Sequence, residues 1–168
     1  MKKIILAIAI VAFTTIGAQA QDAKPTTLSV GVNVGIPTSS PSLYSIAFGA
    51  DLQADFAVAP TTKITASAGY ENFVTKKKYT DLGADKSSGM IPLLAGAKFF
   101  FGSDGKLYGH AQLGYGFATA KGADGAFAYA PSIGYYFSPN FDGSVKYLAF
   151  SSNGSTLGLI GIRLAYNF

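Results

Sequence analysis

The stretch SIAFGADLQADFAV, from Ser45 to Val58, alternates between two kinds of side chain. Its even-numbered positions are all apolar, and its odd-numbered positions are small, polar or acidic. Because successive side chains of a β-strand point to opposite faces, this pattern indicates a strand with one apolar face and one polar or small face.

The same alternation recurs along the rest of the chain and predicts eight strands in total. The predicted strands are residues 28–36, 45–58, 62–73, 90–101, 106–118, 126–137, 141–150 and 156–168. The connections 37–44, 74–89 and 119–125 are longer than the others, and short turns with long loops opposite are typical of a membrane barrel. Asn153-Gly154, before the last strand, suits a two-residue hairpin turn, in which both central positions need positive φ.

The side chains of the less apolar face decide which face points outward. In a soluble barrel this face would meet water and be rich in Lys and Glu, whereas here it is mainly Gly, Ala and Ser. Small side chains suit the narrow lumen of an eight-stranded barrel. We therefore predict an all-β fold: an eight-stranded antiparallel up-and-down transmembrane β-barrel. A soluble secreted β-barrel is the alternative.

The charged residues of the predicted strands share the inward face, with four acids and four bases. They are Asp51, Asp55, Lys63, Glu71, Lys98, Asp142, Lys146 and Arg163. We predict a structural charge network centred on Arg163, Lys98, Asp51 and Asp55, with Lys146 near mid-height and Glu71 nearer the outer end. Paired charges offset the desolvation of each other, so such a network can plug and brace the barrel. The alternative is that the charges are separately hydrated.

Aromatic residues of the apolar face gather toward the strand ends. They are Phe56, Phe73, Phe99, Phe101, Phe117, Phe127, Tyr135, Phe137, Tyr166 and Phe168. Aromatic rings are favoured at the boundary between water and lipid, so we interpret them as two girdles around an aliphatic band. Aromatic residues are also good strand formers, which is the simpler interpretation.

The first twenty residues have the pattern of a secretory signal peptide. Lys2 and Lys3 precede an apolar run from Ile4 to Phe13, and Ala18-Gln19-Ala20 supplies the small residues of a cleavage site. The apolar run is too short to span about 30 Å of hydrocarbon as an anchor. We expect a signal peptide at residues 1–20 and one barrel domain at residues 21–168.

The composition excludes several classes of function. Charged residues make up 13% of the chain, against about 25% in ordinary soluble domains. The chain has no Cys, which excludes disulfides, thiolate metal sites and lipid attachment through cysteine. Without Lys2 and Lys3 the chain has eleven Lys and Arg against nine Asp and Glu, which gives no indication of nucleic-acid binding.

Few residues suggest chemistry. The chain has one His, His110, on the inward face, and one His without Cys makes no convincing zinc site. A serine hydrolase would need this His beside a serine at the lipid face or the rim. We therefore expect no enzymatic activity, with no catalytic, metal or cofactor-binding residues and no cofactor. The basic run Lys76-Lys77-Lys78 could contact lipopolysaccharide phosphates or a partner, although most such runs are only solvated loops.

The chain resembles the small bacterial outer-membrane β-barrel family, the OmpA/OmpX-like type of the porin superfamily. The resemblance rests on the cleavage site at Ala18-Gln19-Ala20, the strand segment from Ile91 to Lys98 and the terminal segment from Ile162 to Phe168. It implies an outer-membrane location among outer-membrane lipids. It also implies that Tyr166 and Phe168 belong to a terminal signal read by the barrel-assembly machinery. The family is functionally diverse, so the resemblance supplies no activity.

For function, we expect a monomeric, non-enzymatic barrel with a structural or loop-mediated interaction role. An eight-stranded barrel has no open aqueous channel, and Arg163, Lys98 and Tyr136 are bulky residues on the inward face. The alternative is a small transport or ligand-binding barrel.

Overall fold

The computed structural model describes residues 26–38, 43–102, 104–120 and 122–168. The predicted signal peptide lies outside these ranges, as do residues 21–25, 39–42, 103 and 121. Within the described ranges, no helix combines the length and the apolar character needed to cross a membrane.

Eight β-strands form a closed antiparallel barrel, in which sequence neighbours pair and the last strand pairs with the first. The strands are β1 (Thr26–Pro37), β2 (Tyr44–Ala59), β3 (Thr62–Thr75), β4 (Ser87–Phe101), β5 (Leu107–Ala118), β6 (Ala126–Ser138), β7 (Phe141–Ser152) and β8 (Ser155–Asn167). The predicted fold and strands are confirmed. A short helix, α1 (Lys77–Thr80), lies between β3 and β4 and was not predicted.

The two ends of the barrel differ in the length of their connections. At one end, which we call the turn end, the connections are residues 60–61, 102–106 and 139–140, and the described chain both begins and ends there. At the opposite end, the loop end, they are residues 38–43, 76–86, 119–125 and 153–154. Asn153 and Gly154 have φ of 49° and 77°, as the predicted hairpin turn requires.

The exterior of the barrel is apolar. Leu52 is 65% exposed, Val32 60% and Ile162 53%, and these residues share the outward face of their strands. No Asp, Glu, Lys or Arg lies on the outward face of the eight described strands. A continuous apolar surface of this kind fits hydrocarbon and not water, so the faces are oriented as predicted.

One of the predicted girdle aromatics, Phe73, lies on the wrong face for that role. The other nine lie on the exterior. Phe73 is fully buried inside the barrel, because it occupies the same alternate positions of β3 as Glu71 and Thr65, opposite to those of Tyr70. The prediction for Phe73 was therefore wrong: Phe73 was assigned to the exterior as an apolar residue, whereas its odd position in β3 gives it the same face as Glu71.

Candidate functional site: the barrel lumen

The inward side chains fill the lumen in two layers. From the turn end to mid-height, the side chains are mainly polar or charged, and we call this part the polar layer. Toward the loop end they are apolar, and we call this part the apolar layer. The buried members of the apolar layer are Ala47, Phe73, Met90, Leu94, Ala126, Ala128, Ala130, Leu148, Phe150 and Leu159.

Arg163 and Asp51 form the ion pair at mid-height. Arg163 on β8 donates from Nη2 to Asp51 Oδ1 over 2.6 Å and from Nε to Oδ2 over 3.0 Å. This two-point contact is the geometry that a guanidinium and a carboxylate favour. Asn33 Nδ2 also donates to Asp51 over 2.9 Å, and Arg163 Nη2 reaches Ser29 Oγ over 3.4 Å. The pair therefore joins β8 to β1 and β2 through the lumen.

Lys98 and Asp55 form a second ion pair, closer to the turn end. Lys98 Nζ lies 2.7 Å from Asp55 Oδ2, and both side chains are almost completely buried. Gln53 Nε2 donates to the other carboxylate oxygen of Asp55 over 2.7 Å. Lys98 Nζ also lies 4.8 Å from the centre of the Tyr108 ring. Both charges thus have several partners that offset their desolvation.

Asp142 joins the polar layer through three side chains. It accepts a hydrogen bond from the Tyr108 hydroxyl, and its Oδ2 accepts one from Asn167 Nδ2 over 2.9 Å. Arg163 Nη1 lies 3.8 Å from Asp142 Oδ1. Asp142 was identified as an inward charge from the sequence but was not placed in the predicted network. The structure brings it next to Arg163.

The other charges of the predicted set lie apart from these pairs. Glu71 and Lys146 are buried toward the loop side of the Arg163–Asp51 pair, and neither has an ion-pair partner within 4.0 Å among the described residues. Glu71 Oε2 has no hydrogen-bond partner in the described part of the chain. The structure therefore brings together Arg163 with Asp51 and Lys98 with Asp55, and it does not join Glu71 or Lys146 to them.

Glycines make room for the large side chains of the lumen. A Cβ atom on Gly31 would lie 2.6 Å from Nε of Arg163. A Cβ atom on Gly134 would collide with the ring of Tyr108, and one on Gly116 would collide with Phe150. Each of these large side chains thus occupies the space that a side chain at the glycine would need.

His110 lies inside the polar layer. It is 7% exposed, and its Nε2 shares a hydrogen bond of 2.8 Å with Thr65 Oγ1. Its position on the inward face is the one predicted from the sequence. Among the described residues, no three His, Cys, Asp or Glu side chains come together as metal ligands.

The apolar layer contains aromatic rings that sequence reasoning did not place inside the barrel. Phe73 lies between Tyr44, with ring centres 5.6 Å apart, and Phe150, with ring centres 6.3 Å apart. Leu148 and Leu159 are buried beside them. The available signal was their position, since each occupies the inward parity of its strand. Together they give the loop end of the lumen an apolar lining.

The two residues of the predicted assembly signal lie on the exterior at the turn end. Tyr166 and Phe168 have ring centres 5.0 Å apart in an edge-to-face arrangement. The backbone nitrogen of Phe168 donates to the carbonyl of Leu28 over 2.8 Å, so the chain end also extends the ladder between β8 and β1.

Solved structures share this architecture. Ail, the attachment invasion locus protein of Yersinia pestis, has a TM-score of 0.60 at 14% identity, covering 85% of this chain and 97% of its own. The fold is that of a transmembrane β-barrel. Neisserial surface protein A has a TM-score of 0.53 at 13% identity, covering 88% of this chain and 100% of its own. A de novo designed transmembrane β-barrel has a TM-score of 0.53 at 21% identity, covering 86% of this chain and 98% of its own.

These likenesses extend to the fold and no further. No protein-family model and no curated protein matches the chain. The predicted resemblance to small outer-membrane barrels, and the predicted outer-membrane location, agree with the fold of Ail and Neisserial surface protein A. Ail has also been crystallised in complex with sucrose octasulfate, a heparin analogue.

Proposed function

We propose that the protein is a monomeric, non-enzymatic integral barrel of the bacterial outer membrane, with a structural or loop-mediated role and no open pore. The observation that carries this proposal is the filled lumen. Ion pairs with hydrogen-bonded partners occupy the polar layer, and the buried rings of Phe73 and Phe150 occupy the apolar layer. This packing braces the barrel from inside and leaves the exterior free to contact lipid.

The membrane location has a direct test. Cells that make the full chain should contain the mature protein in the envelope fraction that resists sarkosyl, with Gln21 at its N-terminus. This N-terminus follows from the cleavage site at Ala18-Gln19-Ala20. Recovery of the protein from the soluble periplasmic fraction would contradict the proposal.

The absence of a pore has a separate test. Purified protein in a planar bilayer should produce no stable open channel, because charged and aromatic side chains fill the lumen. A reproducible channel in the unmodified protein would favour the alternative, a small transport barrel.

A loop-mediated role is best supported by the connection between β3 and β4. Its helix α1 is preceded by Lys76 and contains the exposed residues Lys77 and Lys78, at the loop end of the barrel. We propose that this basic segment contacts sulfated or phosphorylated saccharides outside the cell. The complex of Ail with sucrose octasulfate makes that compound a suitable probe.

Calorimetry with sucrose octasulfate tests the loop proposal. The exchange of Lys77 and Lys78 for Ser should weaken binding strongly, because the contact is between exposed opposite charges and depends on their number. The exchange of Lys86 for Ser is the matched control, because this exposed lysine belongs to the same connection but lies outside the basic segment, and it should weaken binding far less. Equal binding by all three proteins would reject the loop as the contact surface.

A further inference from the structure

A cavity opens into solution at the turn end of the barrel. Its volume is about 560 Å³, within the range of about 300–1,000 Å³ that is usual for sites of small molecules. The turns between strands form its rim, with Pro60, Lys106 and Pro139 among them. The inward side chains of Phe100 and Tyr136 form its floor, beside Lys63.

The floor of this cavity is a packed group of aromatic rings. Tyr136 lies against Phe100, with ring centres 5.9 Å apart, and against Tyr108, with ring centres 5.5 Å apart. Tyr108 in turn contacts Phe100, with ring centres 5.8 Å apart. Since each ring is held by two others, the platform is fixed in place. A flat apolar group can pack on it in the offset or edge-on geometry that aromatic rings prefer.

The cavity carries positive charge. Lys63 and Lys106 both line it, and none of the described lining residues is acidic. The ammonium group of Lys63 lies 5.5 Å from the centre of the Phe100 ring and 5.9 Å from that of Tyr136. No carboxylate lies within 4.0 Å of it among the described residues.

The nearby acids are already engaged inside the polar layer. Asp55 bonds to Lys98, and Asp142 accepts hydrogen bonds from Tyr108 and Asn167. Asp104 lies outside that layer, in the turn between β4 and β5, and it accepts a hydrogen bond of 3.3 Å from the backbone nitrogen of Lys106. Lys63 is thus a half-buried cation whose direct contacts are aromatic faces, and these do not neutralise its charge.

We propose that this cavity binds a small organic anion that has a flat apolar body. The carboxylate or phosphate group of the ligand accepts hydrogen bonds from the ammonium groups of Lys63 and Lys106, and its body packs on Phe100 and Tyr136. An inorganic anion bound here would not cover the aromatic floor of the cavity, and a neutral aromatic ligand would give the two lysines no anionic partner. The site therefore selects for both parts in one molecule.

Phenyl phosphate is the probe for this site. It is titrated into the full mature protein in phosphatidylcholine nanodiscs, while the backbone amide signals are followed by NMR. Saturable shifts are expected at Lys63, Phe100, Lys106 and Tyr136. Inorganic phosphate and benzamide, which each carry one half of the probe, should bind at least about tenfold more weakly, because each loses one set of contacts.

Two lysine variants and one control complete the test. Lys63→Gln and Lys106→Gln should each weaken the binding of phenyl phosphate by about tenfold, the scale of a lost hydrogen bond to a charged group. Lys86→Gln, at an exposed lysine of the loop end, should leave the dissociation constant unchanged. The same spectra show whether each variant is folded, and Lys106 lies in an exposed turn where substitution spares the lumen.

Several outcomes would overturn the proposal. They are shifts that do not saturate, unchanged binding by both lysine variants, or equally tight binding of inorganic phosphate. Anionic lipid headgroups share part of this chemistry, so the titration is repeated in nanodiscs that contain phosphatidylglycerol. If the lipid alone shifts the same signals and phenyl phosphate then has no effect, the site holds a lipid headgroup and the proposal of a free organic anion fails.

Discussion

At the residue scale, the lumen depends on how each buried charge is satisfied. Arg163 is 4% exposed and has two acids, Asp51 and Asp142, within 4.0 Å of its guanidinium group. Lys98 and Asp55 are 1% exposed each and bond to one another. A buried charge that loses its partner costs far more than the intact pair contributes. The stability of the barrel is therefore more sensitive to the loss of one partner than to the loss of both.

The first prediction concerns Arg163 and Asp51. Arg163→Met should lower the free energy of unfolding by about 3–5 kcal/mol, because it leaves Asp51 buried without its ion-pair partner. Asp51→Asn should lower it by less, because Asp142 still lies 3.8 Å from Arg163. The double variant should lose far less than the two single losses combined. Unfolding by urea in lipid vesicles measures all three. The same double-mutant cycle on Arg163 and Asp55 is the control, because Asp55 bonds to Lys98 instead. A coupling energy between Arg163 and Asp55 as large as that between Arg163 and Asp51 would contradict the assignment of Asp51 as the partner.

The second prediction concerns the glycine that lies beneath Arg163. Gly31→Ala places a methyl group against the guanidinium, and overpacking of this kind costs about 1–3 kcal/mol. The same substitution in an Arg163→Ala, Asp51→Asn background should cost much less, because the colliding group is gone. Unfolding by urea distinguishes the two cases. An equal cost in both backgrounds would show that the strand position itself, and not Arg163, requires glycine.

At the element scale, the alternation of side chains along each strand separates the residues that face the lumen from those that face outward. In β1 the buried positions run from Ser29 to Pro37 in steps of two, with exposed Val30, Val32 and Val34 between them. This period is a local property of the sequence, so the strands and their faces could be predicted from the residues. The hairpin at Asn153-Gly154 was predictable for the same reason.

Other features could not be predicted, because they depend on how strands align across the barrel. Asp55, and not Asp51, lies beside Lys98 because β2, β3 and β4 pair with Asp55 opposite Thr65 and with Thr65 opposite Gly96. A shift of two residues between neighbouring strands would change these neighbours and still leave every side chain on its face, so alternation does not determine which charges pair. The inward position of Phe73, in contrast, could have been predicted from alternation, because Phe73 shares the odd positions of β3 with Glu71. Helix α1 spans only Lys77–Thr80, too short to show a helical period.

The third prediction tests the outward face of β8. Ile162→Arg places a charge near the middle of the strand and of the hydrocarbon, where it should cost about 2–4 kcal/mol of folding stability in lipid. Leu82→Arg is the matched control, because Leu82 is 78% exposed in the connection between β3 and β4. The free energy of unfolding in vesicles compares them. If both substitutions have the same small effect, the exterior of β8 does not face lipid.

At the scale of the whole molecule, the side chains inside the lumen differ in character between its two ends. The polar layer holds charges and hydrogen-bonding groups that water can accompany, whereas the apolar layer offers none. An apolar constriction excludes ions by excluding their water. The apolar layer is therefore the part of the lumen that we expect to prevent conduction.

The fourth prediction follows from this division. The double variant Phe73→Ala, Phe150→Ala removes two packed rings of the apolar layer, and it should give channel openings in a planar bilayer that the unmodified protein lacks. Phe117→Ala removes a ring of the same size from the exterior and serves as the control. If Phe117→Ala also gives channel openings, the conductance results from general destabilisation of the barrel and not from the loss of the apolar layer. A silent double variant that is folded by circular dichroism would mean that the polar layer alone closes the lumen.

The pairing of Arg163 with Asp51 also has a consequence for the folding of the barrel. These residues are 112 positions apart in the chain, and they meet only when β8 reaches β1 and β2. Until then Arg163 has no carboxylate beside it, and an unpaired arginine is costly in the hydrocarbon of a bilayer. We therefore expect sealing of the sheet and entry into the bilayer to be concerted and slow, since so distant a contact carries the full entropy of loop closure. For the same reason we expect a chain that lacks its last strand to form no stable barrel in the bilayer.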